Sequence, residues 1–316
     1  MKKTSSAPPP LHIRLFIYAR EMFPVWVYLP YVLALYVCMS ISVQAAVSGQ
    51  AVFGSYAYVG MASAFLFMLQ MRAFDDLKDL EIDKSLFPWR ATPRGLVLKQ
   101  DLQLLAWGSF SLLIAINVAW APATLWVFGL TLLYTLLTYK WFFAEAYHRE
   151  HLFFTMLTHQ PLPWAINFYL IHTAMAAQSP AEAFGLYHFV VLAVFSLPIT
   201  AWEVSRKIRG AGKETQYETF SLLLGPRAAA VIPLACLLAM GGLGLNLGSE
   251  LQLGGIYFPA MWVLTGAMAL GYGRFIIWPT AANNILTLFA MGFAVLFFLN
   301  LLAHLLMKYD VQWAAY

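Results

Sequence analysis

The chain has 316 residues, of which 61% are hydrophobic and only 11% charged, less than half the roughly 25% charged residues of soluble domains. That excludes a soluble enzyme and points to an all-α, polytopic membrane bundle, with membrane lipid as its surroundings. The net charge of +4 is not gathered into a basic array suited to a duplex, so nucleic acid is not an expected partner.

Residues 1–10, with Ser5-Ser6-Ala7-Pro8-Pro9-Pro10, read as a disordered tail. Residues 11–23 carry Arg14, Arg20 and Glu21 among apolar residues. They suit either an interfacial helix or a simple extension of the first span. Apolar spans long enough to cross a bilayer are predicted at 24–44, 52–71, 102–119, 124–143, 152–173, 184–202, 228–247, 256–272 and 285–307. The expected organisation is thus a tail over 1–23, a nine-helix domain over 24–307 and a short tail over 308–316. With a cytoplasmic N-terminus, every Lys and Arg except Lys308 falls on the cytoplasmic side. The positive-inside rule therefore favours this orientation, in a plasma (inner) membrane, with the functional face toward the cytoplasm. Cys38 and Cys236 lie in different spans and read as small apolar packers.

The second span runs into Arg72-Ala-Phe-Asp-Asp-Leu-Lys-Asp-Leu-Glu-Ile-Asp83. Asp75, Asp79 and Asp83 follow one another at four-residue intervals. On a helix each such step overshoots a full turn by about 40°, so the three carboxylates form one stripe, with Asp76 on its shoulder. Like charges at this spacing repel, and a hard cation such as Mg²⁺ prefers carboxylate oxygens. The stripe reads as a Mg²⁺–diphosphate cradle at the membrane surface. It also reads as a solvated loop whose acids are neutralised by Lys78 and Lys84. The following Pro-bearing turn carries Arg90 and Arg94, whose planar forks suit phosphate oxygens or lipid headgroups alike.

Lys140 ends the fourth span on the same side as the stripe. His148-x-x-His151 has near-ligand spacing but no third ligand. The fifth span is interrupted at His159-Gln-Pro-Leu-Pro163, and His159, Gln160 and Asn167 are candidates for a pocket wall, or the prolines simply kink a packed helix. At the end of the sixth span Glu203, Arg206 and Lys207 repeat the pattern of a span capped by charges. Glu203 and Lys207 can form a helix-end ion pair, or join the first stripe over one pocket. The Gly-rich and aromatic last spans read as helix packing and interfacial belts.

Carboxylate-held Mg²⁺ at the mouth of an apolar bundle suits a diphosphate head on a hydrocarbon tail. Metal and fixed cations would stabilise charge on the departing diphosphate, and aromatic rings would support an allylic cation. The layout resembles the UbiA superfamily of intramembrane prenyltransferases. The family's N-D-x-x-D-x-x-x-D motif has its counterpart in Asp75-Asp76-x-x-Asp79-x-x-x-Asp83, and Arg90-x-x-Pro93-Arg94-Gly95 resembles its R-P-x-x-x-G segment. In place of the second motif, D-x-x-x-D, stands Glu203-x-x-x-Lys207, while 219–225 resembles the closing T-x-x-x-x-x-G run. Tyr134, Tyr139 and Lys140 are loose counterparts of the family's Tyr and Lys on the fourth helix.

The resemblance implies Mg²⁺-dependent transfer of a prenyl group from a prenyl diphosphate to a lipophilic acceptor. Asp75, Asp79, Asp83 and Glu203 would be catalytic. Those four and Asp76 would be the metal ligands, with Arg72, Lys78, Arg90, Arg94, Lys140, Arg206 and Lys207 on the diphosphate. Either Glu214 or Glu218 replaces the missing acid of the second motif, or Lys207 and Arg206 hold the diphosphate directly and one metal is lost; the second option is the expectation adopted. A membrane terpene cyclase and a non-catalytic isoprenoid-phosphate binder are the alternatives.

Overall fold

A computed structural model describes residues 8–178, 183–214 and 219–314. Most of the stretch expected to be disordered, residues 1–7 of 1–10, lies outside them. The first helix, α1 (Leu11–Glu21), is separate from the first span, α2 (Val25–Ser48), and not its extension. Pro24, at φ −61° and ψ 96°, turns the chain between them. Tyr18, Met22 and Phe23 of this segment bury against Ala91, Val97 and Leu102. A pair from Arg14 to the buried Asp101, at 2.7 Å, fixes α1 to the next-but-one span.

The second span is α3 (Ser55–Lys78), continued by the short α4 (Leu80–Leu86). Then come α5 (Lys99–Trp120) and α6 (Leu125–Tyr139). Asp101 sits in the first turn of α5 and accepts from the Leu98 backbone N–H, satisfying one of the donors a helix start leaves unpaired.

The fifth expected span is two helices, α7 (Glu145–Glu150) standing before them: α8 (Leu152–His159) and α9 (Pro161–Gln178). Pro161 supplies no N–H to continue α8, and its fixed φ suits a first helical position. Next follow α10 (Leu186–Ser205), α11 (Phe220–Leu224), α12 (Pro226–Glu250), α13 (Tyr257–Ile277) and α14 (Leu286–Lys308).

Among the described residues eight helices are long and apolar enough to cross a membrane, where nine were expected. The shortfall is α9, whose Asn167 and His172 lower its apolarity. Those polar groups are affordable because α9 lies inside the bundle, against α2, α3, α6 and α10. Asn167 donates to Phe195 O and to Ser196 Oγ on α10, and Tyr169 donates to Asn117 Oδ1 on α5 at 2.6 Å. Elsewhere α10 packs on α12 and α14, and α14 returns to α2 to close the bundle. Close approach of α12 to α14 and α13 requires Gly244 and Gly248, where a Cβ would collide with the Phe297 and Tyr257 rings. Cys38 is buried and Cys236 half-buried, and neither forms a disulfide.

Two strands escaped the sequence reading. Ala51–Phe53 (β1) and Val311–Trp313 (β2) pair in parallel, with Ala51 opposite Val311. The C-terminal segment expected as a tail is thereby tied to the loop between the first two spans.

Candidate active site

Helix α3 ends at Lys78, and Asp79 leaves helical geometry with φ −98° and ψ 10° before α4 resumes. The four-residue rhythm nevertheless continues. Asp79 N bonds Asp75 O at 3.0 Å, Asp83 N bonds Asp79 O at 2.8 Å, and Phe87 N bonds Asp83 O at 2.9 Å. The stripe expected from spacing thus exists in the backbone, but its four carboxylates meet different fates.

Asp75 is exposed and pairs with Lys78 at 3.0 Å. Asp76 is buried, held by Arg72 at 2.7 Å and by the Tyr18 hydroxyl, which donates to it at 3.0 Å. Asp83 is buried too, and both of its oxygens accept from Arg90, at 2.8 and 2.9 Å. Asp79 is half-buried and has no hydrogen bond or ion pair from its carboxylate among the described residues. Burial raises its pKa above the usual carboxylate range; Asp75 and Asp83 add to the rise, while Lys78 and Arg149 oppose it.

No three His, Cys, Asp or Glu side chains among the described residues converge into a ready-made metal cage. Mg²⁺ commonly uses one or two carboxylates and completes its shell with water and phosphate oxygens. The pair Asp79 and Asp75 fits that donor set. Asp76 and Asp83, expected as further ligands, have their oxygens engaged by Arg72, Tyr18 and Arg90. These pairs fasten α3 and α4 to α1 and to the following turn. Arg72 and Arg90 are correspondingly committed to carboxylates. Arg94 reaches Glu21 on α1 at 3.0 Å, which turns it into a clamp on that helix. Lys140 is exposed, its ammonium 5.3 Å from the Tyr139 ring centre.

Beyond Lys140 the backbone makes a turn that the sequence did not announce. Trp141, Phe142 and Phe143 all have positive φ, at 51°, 49° and 61°. Side chains rarely tolerate the left-handed region because Cβ crowds the following carbonyl, so three in succession store strain. The turn carries the Trp141 ring to within 4.7 Å of Lys78 Nζ and 5.3 Å of the Arg149 guanidinium. Trp141 and Phe142 also contact His148 and His159. His148 is thus matched with His159, ring centres 5.2 Å apart, and not with His151, which stacks on Tyr147. Deeper in α3, Gln70 is fully buried with neither amide atom partnered. Phe74, one turn nearer the stripe, stacks on Tyr139 at 4.1 Å.

At the end of α10, Glu203 accepts from Arg206 at 2.6 Å and pairs with Lys207 at 3.2 Å. Its carboxylate is therefore shared by two cations. Glu214 accepts from the Thr219 hydroxyl, whose oxygen in turn caps α11 by accepting from Leu222 N. Glu218 lies outside the described residues. No hydrogen bond or ion pair joins this constellation to the first stripe among the described residues.

Spacing alone could not reveal Tyr18, 58 positions from Asp76, nor the aromatic turn. Gln70 carried a signal, a polar side chain inside an apolar span.

No protein-family model and no curated protein sequence matches the chain. Two solved structures share its fold. One is a digeranylgeranylglyceryl phosphate synthase, at a TM-score of 0.65 and 11% identity over 93% of this chain and 99% of the other. The second is a UbiA homologue from Aeropyrum pernix K1, at a TM-score of 0.60 and 17% identity over 88% of this chain and 98% of the other. The chain therefore has the UbiA-type fold, a helical membrane bundle with its charged constellations at the ends of the second and sixth spans.

Proposed function

We propose that this protein transfers a prenyl group from a prenyl diphosphate to a lipophilic acceptor inside the membrane, using Mg²⁺ at the cytoplasmic face of a plasma membrane. The observation that carries the reading is Asp79, a half-buried carboxylate left unpaired beside Asp75 where the neighbouring acids are all matched to cations. Its fold neighbours, one of them a digeranylgeranylglyceryl phosphate synthase, support a prenyl-transfer chemistry on this scaffold.

Asp79 and Asp75 would hold Mg²⁺, which when bound neutralises the diphosphate and eases its departure. Asp76, through Arg72 and Tyr18, and Asp83, through Arg90, position the helix turn that presents Asp79. Lys207, which shares Glu203 with Arg206, would contact phosphate oxygens directly, with Arg206 beside it. Lys140, free of ion pairs among the described residues, is available for the same task. The rings of Phe74, Tyr139 and Trp141 would line the path of the prenyl chain, where their faces attract developing positive charge.

The test is diphosphate release by the purified protein with Mg²⁺ and prenyl diphosphates of several lengths, membrane extract serving as the acceptor source and products being identified by mass. Release accompanied by a prenylated acceptor is the expected result. A cyclised hydrocarbon formed without acceptor would assign a terpene cyclase instead. Absence of release at every chain length would contradict catalysis and leave an isoprenoid-phosphate binder.

A further inference from the structure

His148 and His159 have no part in the diphosphate chemistry proposed above, yet their hydrogen bonds fix what they can offer. The Thr155 hydroxyl donates its only proton to His148 O at 2.6 Å. His148 Nδ1, 3.1 Å from that same hydroxyl oxygen, must therefore be the donor between them. His159 Nδ1 lies 3.1 Å from Thr155 O, which can only accept, and 3.2 Å from the Thr158 hydroxyl, whose own proton goes to Phe154 O at 2.9 Å. Both rings thus carry their proton on Nδ1 and present a bare lone pair at Nε2. Both Nε2 atoms are buried without a hydrogen-bond partner, and His148 as a whole is 2% exposed. Leaving such acceptors unmade is costly, so a donor belongs there.

The surroundings decide which kind. The charged groups nearest the pair are Lys78, which depresses the His148 imidazole, and Asp75, which is itself paired with Lys78. Arg149 stacks on Trp141 and is paired with Glu145. A metal cation would meet the Lys78 charge, and no third ligand converges. An anion would face two lone pairs. A neutral O–H donor brings no charge against Lys78 and gives its single proton to one of the two lone pairs, and the rings of Trp141, Phe142 and Phe154 around the pair suit an aromatic or polyene body.

We infer that the His148 and His159 Nε2 atoms form a subsite for the hydroxyl group of a lipophilic, neutral acceptor, such as a phenol, beside the Asp75–Lys78 end of the diphosphate site. This rests on the prenyl-transfer reading for its biological sense, but its test involves no prenyl diphosphate. The Trp141–Phe143 turn forms one wall of the subsite.

The full-length protein, labelled with ¹⁵N at histidine and reconstituted in lipid, would be examined by solid-state NMR at neutral pH. His148→Phe and His159→Phe would serve to assign the signals. Two Nε2 resonances of the lone-pair type are expected, that of His159 moving on addition of 1-naphthol and not with 1-methoxynaphthalene, which lacks the hydroxyl proton. His159→Phe should weaken naphthol binding about tenfold, the worth of one buried hydrogen bond. Should either variant fail to fold, the contrast between the two naphthalenes on the wild-type protein decides alone. Nε2 signals that ignore naphthol, that respond equally to its methyl ether, or that respond to Zn²⁺ instead would overturn the subsite. A failed diphosphate-release assay with the naphthol contrast intact would overturn prenyl transfer and leave the hydroxyl site standing.

Discussion

The two charged ends of the bundle are built from the same materials and arrange them differently. At the end of α3 four carboxylates, Asp75, Asp76, Asp79 and Asp83, meet three cations, Lys78, Arg72 and Arg90. Asp79 is the one left over. At the end of α10 Glu203 is shared by Arg206 and Lys207. One end keeps an acid with no cation of its own among the described residues, and at the other a lysine shares its acid with an arginine. On the proposed reading a metal ion would suit the first and a phosphate oxygen the second, so that a single Mg²⁺ and a direct cation contact would share one diphosphate. A lysine in the place of a second-motif acid would then be a change of method rather than a defect.

The largest expected effect comes from removing the unmatched acid. Asp79→Ala should lower diphosphate release by about 100-fold or more, the scale of losing a group that stabilises developing charge, while a thermal melt stays close to wild type. Changing the other end tests whether it serves the phosphate or a metal. Lys207→Ala should slow release by about tenfold. Lys207→Asp, which restores an acid at the family position, should not raise turnover at any Mg²⁺ concentration. A gain would mean that the second end also wants a metal.

Proton competition sharpens the same contrast. Asp79 in the folded protein ionises at higher pH than an ordinary carboxylate, chiefly because it is buried. Mg²⁺ needs the ionised form, so activity should fall with decreasing pH earlier than a free aspartate would dictate. Raising Mg²⁺ should move that acid limb to lower pH, because metal and proton compete for one oxygen pair. A pH profile at two Mg²⁺ concentrations reads this directly, and an acid limb indifferent to Mg²⁺ would point away from Asp79.

Smaller effects belong to the supporting pairs. Tyr18→Phe leaves Asp76 with Arg72 alone and should cost about 1–2 kcal/mol of stability, seen as a lower melting temperature with turnover per folded molecule preserved. Lys84→Ala breaks only the exposed pair with Glu81 and should change stability by less than about 0.5 kcal/mol.

Much of this organisation is written in local sequence. Apolar length marks eight of the crossing helices because burial in lipid demands it, and a four-residue spacing of acids is preserved by the backbone bonds from Asp75 to Phe87. Local patterns fail where tertiary partners decide. The α9 helix tolerates Asn167 because α10 supplies Ser196 and a backbone carbonyl, so interior position, and not hydropathy, explains it. Asp76 and Asp83 look like Asp79 in the sequence, yet Arg72, Tyr18 and Arg90 occupy them. His148 meets His159 rather than His151 because Trp141, Phe142 and Phe143 reverse the chain in a conformation that their residue types disfavour.

The most direct test is the Mg²⁺ dependence of diphosphate release for wild type beside Asp79→Asn, which keeps the shape and removes the charge. Saturable Mg²⁺ activation in wild type, with activation lost or moved to much higher Mg²⁺ in Asp79→Asn, is the expected result. Equal Mg²⁺ curves for the two proteins would contradict the assignment of Asp79 as the acid that holds the metal.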